Sequence, residues 1–421
     1  MESAEPPAPP WAPGLRYLTQ DEPPIDLRFK QELEDFVVEE LPAFEPSGSG
    51  EHLWLFIEKR ALSTLELVRA ATRALGLAAR DVGWAGRKDV RAVTRQWLSL
   101  RGVGEADARR LESDRISVLR VTRHERKLRL GQLAGNRFEL LLRGVPAADR
   151  GRAERSLARL EARGLPNYFG AQRFGLRGFA FELGRLLLEG RAREYLLALT
   201  GPRHALDRPA LQELHGAIAD GQRAALRCLA ALAPQLPPEF GALARQLARR
   251  PGDWNSALRA LDRPTLSFHL SALQSRIFNR VLAARLEDFD RPRAGDLCVL
   301  HPTRSFFEVT AAEDRDELAR RAAAFEISPS GPLPGARVPL AGGSAGVLEV
   351  DALRAEGLGA GATEFDLSAL RGVDLPGGRR SLRARIAGLR HEWRAEGLWL
   401  GFSLPTGSYA TVLIAELSKR P

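Results

Sequence analysis

Five consecutive apolar residues, Leu53-Trp54-Leu55-Phe56-Ile57, carry the pattern of a strand covered on both faces. Phe36-Val37-Val38-Glu39-Glu40 predicts a short strand before it, and Phe138-Glu139-Leu140-Leu141-Leu142 predicts another after it. Ser63-Thr64-Leu65-Glu66 has capping-box spacing and opens a helix. Leu65, Val68, Ala71 and Leu75 mark that helix's apolar face, and Gly76 supplies a stop. From about 183 to 263 the chain turns to Ala, Leu and Arg at amphipathic helical spacing, as in Leu243-Ala244-Arg245-Gln246-Leu247-Ala248-Arg249. Another helix is predicted over 270–285, with Leu270, Leu273, Ile277, Val281 and Ala284 on one face. Gly- and Pro-rich loops with short strands are expected over 296–376. Strands and helices without strict βαβ alternation place the fold in the α+β class. No fixed-period repeat is visible.

Length and composition add bounds. A chain of 421 residues exceeds a typical single domain, so two are expected. Cys228 and Cys298 are too few for a disulfide framework, and a reducing cytoplasm is the expected compartment. No apolar run approaches membrane-spanning length, so no membrane partner is expected. The N-terminus is acidic and rich in Pro and Ala, without the basic-then-apolar order of a signal peptide. A disordered tail is expected over 1–28.

Charge sharpens the picture. The formal net charge is +9, and residues 80–137 hold fifteen Lys or Arg against seven Asp or Glu. Nearly all the excess positive charge therefore falls in one segment, the electrostatic footprint of a nucleic-acid partner. The alternative is a solvated face in an arginine-rich chain. Binding through this segment should weaken steeply with salt as counterions are released.

Within it lies Gly83-Trp84-Ala85-Gly86-Arg87-Lys88-Asp89-Val90-Arg91-Ala92-Val93-Thr94-Arg95-Gln96-Trp97. One carboxylate, Asp89, sits among Arg87, Lys88, Arg91 and Arg95. Such neighbours favour an ionised carboxylate and attract a polyanion. A lone anion there either has chemistry to perform or merely neutralises its neighbours.

Gly86-Arg87-Lys88-Asp89 with Ala92-Val93-Thr94-Arg95-Gln96-Trp97 closely resembles the signature of the TruD family of tRNA pseudouridine synthases. Four further blocks agree in order: Glu34-Asp35-Phe36-Val37-Val38-Glu39-Glu40 on to Gly50-Glu51-His52; Arg126-Lys127-Leu128-Arg129 on to Gly135-Asn136-Arg137-Phe138; Pro166-Asn167-Tyr168-Phe169-Gly170-Ala171-Gln172-Arg173-Phe174-Gly175; and Phe402-Ser403-Leu404-Pro405-Thr406-Gly407-Ser408-Tyr409-Ala410-Thr411. The resemblance implies a pseudouridine-synthase-type catalytic domain with a mixed, mainly antiparallel sheet, interrupted by an inserted second α/β domain. The boundaries expected are 29–160 and 377–421 for the catalytic domain and 161–376 for the insertion. It further implies a monomer that isomerises a uridine of tRNA to pseudouridine, by analogy uridine thirteen in the D arm of glutamate tRNA.

That reaction breaks N1–C1′, rotates the uracil and joins C5 to C1′, with no net oxidation. No cofactor is therefore expected. No metal is expected either, since the seven His are scattered without HxxxH spacing. The reaction needs a carboxylate at the glycosidic centre, as nucleophile or as base, and the resemblance assigns Asp89. Arg87 or Lys88 would keep it ionised and contact substrate. The uridine must also leave its helix and be held by stacking and edge hydrogen bonds. Asn136 and Phe138 supply an amide and a ring on one face of a strand, although the spacing alone equally makes Phe138 a core residue. By resemblance Phe36 and Tyr409 line the base pocket, with Phe402 as the alternative aromatic.

Three readings compete with these. The 166–175 block either binds phosphate or the flipped loop, or packs its aromatics. Gly342-Gly343-Ser344-Ala345-Gly346 matches GxSxG, but its flanks predict a loop between short strands rather than the nucleophile elbow of a hydrolase. A non-catalytic RNA-binding or RNA-chaperone protein on the same fold is the alternative function.

Overall fold

The computed structural model describes residues 12, 14–175, 177–202, 208–335, 338–359, 373 and 375–420. The chain forms two compact units. The first takes in Thr19–Leu165 and Ala384–Arg420; the second is Pro166–Arg383 with the described residues up to Leu18.

The first unit begins with β1 (Phe36–Pro42), β2 (His52–Arg60), α1 (Thr64–Leu75), β3 (Val82–Trp84), β4 (Val93–Arg101), β5 (Ile116–His124), β6 (Leu133–Arg143) and α2 (Arg150–Arg163). The chain leaves it through β7 (Leu165–Pro166). In the second unit come α3 (Ala180–Leu188), α4 (Ala192–Thr200), α5 (Pro209–Asp220), α6 (Arg223–Leu232), α7 (Pro238–Arg249), α8 (Trp254–Leu258) and α9 (Arg263–Ala284). Then follow β8 (Leu297–Leu300), β9 (Phe306–Glu308), α10 (Arg315–Ala323), β10 (Ile327–Leu333), α11 (Gly343–Ala355) and β11 (Gly378–Ser381). The return passes through β12 (Arg383–Ala384) to β13 (Ala387–Arg394), β14 (Gly397–Pro405) and α12 (Ala410–Ser418).

The first unit is built on one eight-stranded sheet of order β13-β14-β6-β1-β4-β2-β5, with β3 beside β4. Only β1 and β4 run parallel, which makes the sheet mixed and mainly antiparallel. Helix α1 forms where its capping box predicts: Ser63 and Glu66 cap each other's amides, and Gly76 ends it at φ 67°. Its buried side, Leu67, Val68 and Ala71, packs on Leu53, Leu55 and Ile57 of β2 and Leu98 and Leu100 of β4. Leu65, expected on that side, is exposed. Trp54, Trp97, Leu128 and Leu133 form a second cluster.

In the second unit β11-β10-β8-β9 form an antiparallel sheet. Helix α9 starts earlier than its apolar pattern because Asp262 caps it through Thr265 N at 2.7 Å.

Three expectations need correcting. The N-terminal segment is ordered before residue 28: Leu18, Ile25 and Leu27 are buried, and Thr19 donates hydrogen bonds to Glu416 through its amide and its hydroxyl. A short segment can order without secondary structure when its apolar side chains have a surface to cover. The rest of the expected tail, 1–11 and 13, lies outside the described residues. Second, 296–376 holds helices α10 and α11 as well as short strands. Third, the GxSxG serine lies in α11, is exposed, and follows residues 338–342 that form no strand, so the elbow's geometry is missing.

Candidate active site

Alternation along the strands divides the sheet's charges between two faces. Leu53, Leu55, Ile57 and Lys59 share one face of β2; Lys59 lies opposite Thr94 of β4, and Thr94 opposite Val38 of β1. Val38 and Glu40 lie opposite Phe138 and Asn136 of β6, and these opposite Phe402 and Leu404 of β14. One face of five strands thus presents Lys59, Thr94, Phe36, Glu40, Asn136, Phe138 and Phe402.

The loop between β3 and β4 carries Asp89 to this face. Its backbone is held at three points. Lys88 N donates to Thr64 Oγ1 at 2.9 Å, Lys59 Nζ donates to the Asp89 carbonyl at 3.1 Å, and Ala61 N donates to the Ala92 carbonyl at 3.3 Å. The Asp89 carboxylate remains partly open to solvent, 3.7 Å from the ammonium of Lys30.

Lys30 has a left-handed backbone, φ 55°, which costs a non-glycine residue about 1 kcal/mol or more. The following turn imposes it. Asp35 accepts the amides of Gln31 and Glu32, each at 3.0 Å, and is clamped by Arg143 at 2.7–3.0 Å. Burial disfavours the Asp35 anion, yet Arg143 and these amides more than offset it and lower its pKa. So held, Lys30 lies 3.9 Å from the centre of the Phe36 ring. Burial lowers its pKa and the Asp89 charge partly restores it. From Phe36 an aromatic row continues to Phe138 at 6.2 Å and to Phe402, stacked on Phe138 at 5.4 Å.

Lys88 turns away from its neighbour. Its ammonium pairs with Glu40 at 2.8 Å and donates to Asn136 Oδ1 at 2.8 Å, with both charged side chains almost fully buried. Where β1 parts from β4, the other Glu40 oxygen takes the Trp97 amide at 3.2 Å. Because Lys88 occupies the Asn136 oxygen, Asn136 offers Nδ2, a donor, to a ligand. Asp89, Lys30, three phenylalanines, Asn136 and Lys88 therefore form one connected cluster. Chemically it combines an accessible carboxylate, a cation beside it, a stacking row and an amide donor.

The family model for tRNA pseudouridine synthase D (TruD) matches residues 12–417. A Geobacter metallireducens protein of that name is 41% identical over 96% of this chain and 98% of its own length. Its Geobacter sulfurreducens counterpart is 41% identical over 96% and 97%. The chain belongs to the TruD family. Its members are tRNA pseudouridine synthases, a class of isomerase. A solved TruD structure from Methanosarcina mazei shares the fold, with TM-score 0.76, 24% identity and 96% of each chain covered.

Against the TruD signature, the geometry redistributes the cations expected around Asp89. Lys88 serves Glu40 and Asn136. Arg95 lies on the opposite face, bound to Glu58 at 2.9 Å and Glu39 at 3.5 Å. Arg87 and Arg91 are exposed and form no ion pair among the described residues. The cation nearest the carboxylate is Lys30, which no sequence pattern marked. Lys59 lies beneath the loop and was not among the expected site residues. Tyr409 occupies the position just before α12 and is half-buried, while Phe402 is the aromatic on Phe138. In the second unit, Tyr168, Phe169 and Phe174 of the 166–175 block are buried, and Asn167 is bound by Arg380, so packing accounts for its aromatics. Among the described residues no group of three His, Cys, Asp or Glu could hold a metal, and no helix is long and apolar enough to cross a membrane.

Proposed function

We propose that this chain converts uridine thirteen in the D arm of glutamate tRNA to pseudouridine, with Asp89 as the catalytic carboxylate. The observation that carries this reading is the pairing of Asp89 with Lys30, whose ammonium also covers the first ring of the Phe36, Phe138 and Phe402 row. A flipped uracil stacking on that row would be next to a cation-held carboxylate, and Asn136 Nδ2 would donate to a carbonyl on its edge.

Asp89 acts at the sugar in either of two balanced ways. It attacks C1′ as N1 departs, or it takes the C2′ proton so that uracil leaves as an anion and a glycal forms. Both routes end with C5 bonded to C1′, the C5 proton lost to solvent and N1 protonated. The Lys30 ammonium, 3.7 Å away, is the charge partner of that carboxylate in either route. Exposed Arg87 and Arg91 suit the phosphates flanking the extruded nucleotide. The reading includes a cytoplasmic monomer that acts on tRNA.

Mapping tests the substrate. Glutamate tRNA transcripts with uridine or cytidine at position thirteen are incubated with the protein and pseudouridine is located by chemical labelling and primer extension. A single stop at thirteen, absent from the cytidine transcript, is expected. Modification elsewhere, equal in both transcripts, would reject the assignment of position.

A further inference from the structure

A lysine is rarely buried completely, because its charge loses hydration. Lys59 is buried to 0% exposure at the end of the β2 apolar run. Among the described residues no carboxylate lies within ion-pair distance of it. Instead its ammonium donates to two main-chain carbonyls, that of Leu62 just before α1 and that of Asp89. A buried cation spent on two loop carbonyls is an expensive way to fill core volume. It makes sense if the position of one of those carbonyls matters.

We infer that Lys59 is a positioning residue of the reaction: it fixes the Asp89 main chain, so that the carboxylate is presented to C1′ at the end of the aromatic row. The inference rests on the catalytic reading of Asp89. Lys30 holds the side chain and Lys59 the backbone of the same residue. A carboxylate displaced by 1 Å can lose about a hundredfold in rate, and a loop held only by Thr64 and Ala61 leaves the Asp89 peptide free to tilt.

Protonation of Lys59 bears on this role. Burial lowers its pKa to about 8, with Lys88 acting in the same direction and Asp89 and Glu66 opposing. Those are the charged groups facing it, Asp89 and Lys88 from the loop and Glu66 from α1. A neutral amine keeps two N–H donors but loses charge assistance, so the grip on the Asp89 carbonyl slackens without vanishing. The rate should therefore decline as pH rises through about 8.

The test compares the full-length wild type, Lys59→Met, Lys59→Arg and Asp89→Asn by kcat and KM between pH 6 and 9.5. Lys59→Met should lose tenfold or more in kcat at pH 7, keep KM within threefold, and lack the decline near pH 8. Lys59→Arg keeps a permanent cation and should recover part of kcat, also without that decline. Lys59→Met with full kcat, or with reduced kcat and an unchanged pH profile, overturns the inference while an inactive Asp89→Asn leaves the catalytic reading standing. Turnover by Asp89→Asn overturns both. Should Lys59→Met fail to fold, a wild-type profile superimposable on that of Lys59→Arg is the overturning result.

Discussion

The two faces of the same strands treat charge in opposite ways. On one face Lys59, Lys88 and Glu40 are buried, and each ammonium or carboxylate is tied to a loop backbone or an amide. On the other face Glu58, Arg95, Glu39 and Arg137 form a row across β2, β4, β1 and β6, with neighbours at 2.9–3.5 Å and solvent beside them. This half-exposed row is balanced in charge and is expected to tolerate replacement. The buried set is costly to hold and cannot lose one member without stranding another. The proposed chemistry falls on the face where charge is costly to bury.

Breaking the buried set should have the largest effect on stability. Lys88→Met leaves Glu40 as an uncompensated buried anion and should cost about 3–5 kcal/mol, measured by urea unfolding. Replacing both partners by apolar residues should cost less than Lys88→Met alone, and a larger loss would contradict the stranded-charge explanation. Phe138→Ala should lower the single-turnover rate more than tRNA affinity, since the ring is stacked on Phe402 and lies next to Phe36 in the row. An unchanged rate in a folded variant would return Phe138 to a packing role. Arg87→Gln and Arg91→Gln should each weaken tRNA binding and reduce the slope of log affinity against log salt by about 1. Either one leaving the slope intact would remove it from the phosphate contacts. Arg137→Gln, on the exposed row, should change stability by less than about 1 kcal/mol. A loss as large as that of Lys88→Met would erase the distinction between the faces.

Much of this was legible where the code is local. The capping box of α1, the doubly covered strand β2 and the inward alternation of Asn136 and Phe138 depend on spacing within a few residues. Charge partnership is not local. Residues 80–137 counted as strongly basic, but Arg95, Arg101, Arg120 and Arg137 find Glu58 and Glu39, Glu51, Glu45, and Glu39 respectively, all supplied from 39–58. The pairing of β2 with β4 and β5, and of β1 with β4 and β6, brings that segment alongside, and no periodicity announces it. The same holds for Lys30, which reaches Asp89 through a turn fixed by Arg143 far along the chain. For Lys59 the signal is local: Leu53, Leu55, Ile57 and Lys59 share a parity, so a lysine ends the inward row. The ordering of Thr19 to Arg28 depends on surfaces from the other end of the chain, such as Glu416, and a Pro-rich start hides it.

The most direct measurement of the central claim is tritium release from tRNA transcripts carrying C5-labelled uridine, with wild type and Asp89→Asn side by side. Forming pseudouridine must expel the C5 hydrogen. Release by wild type is expected, with a drop of about a thousandfold for Asp89→Asn and tRNA affinity within a few fold. Undiminished release by Asp89→Asn would contradict the catalytic assignment. Salt-sensitive binding by wild type without release from any tRNA would instead favour a binding protein on this fold.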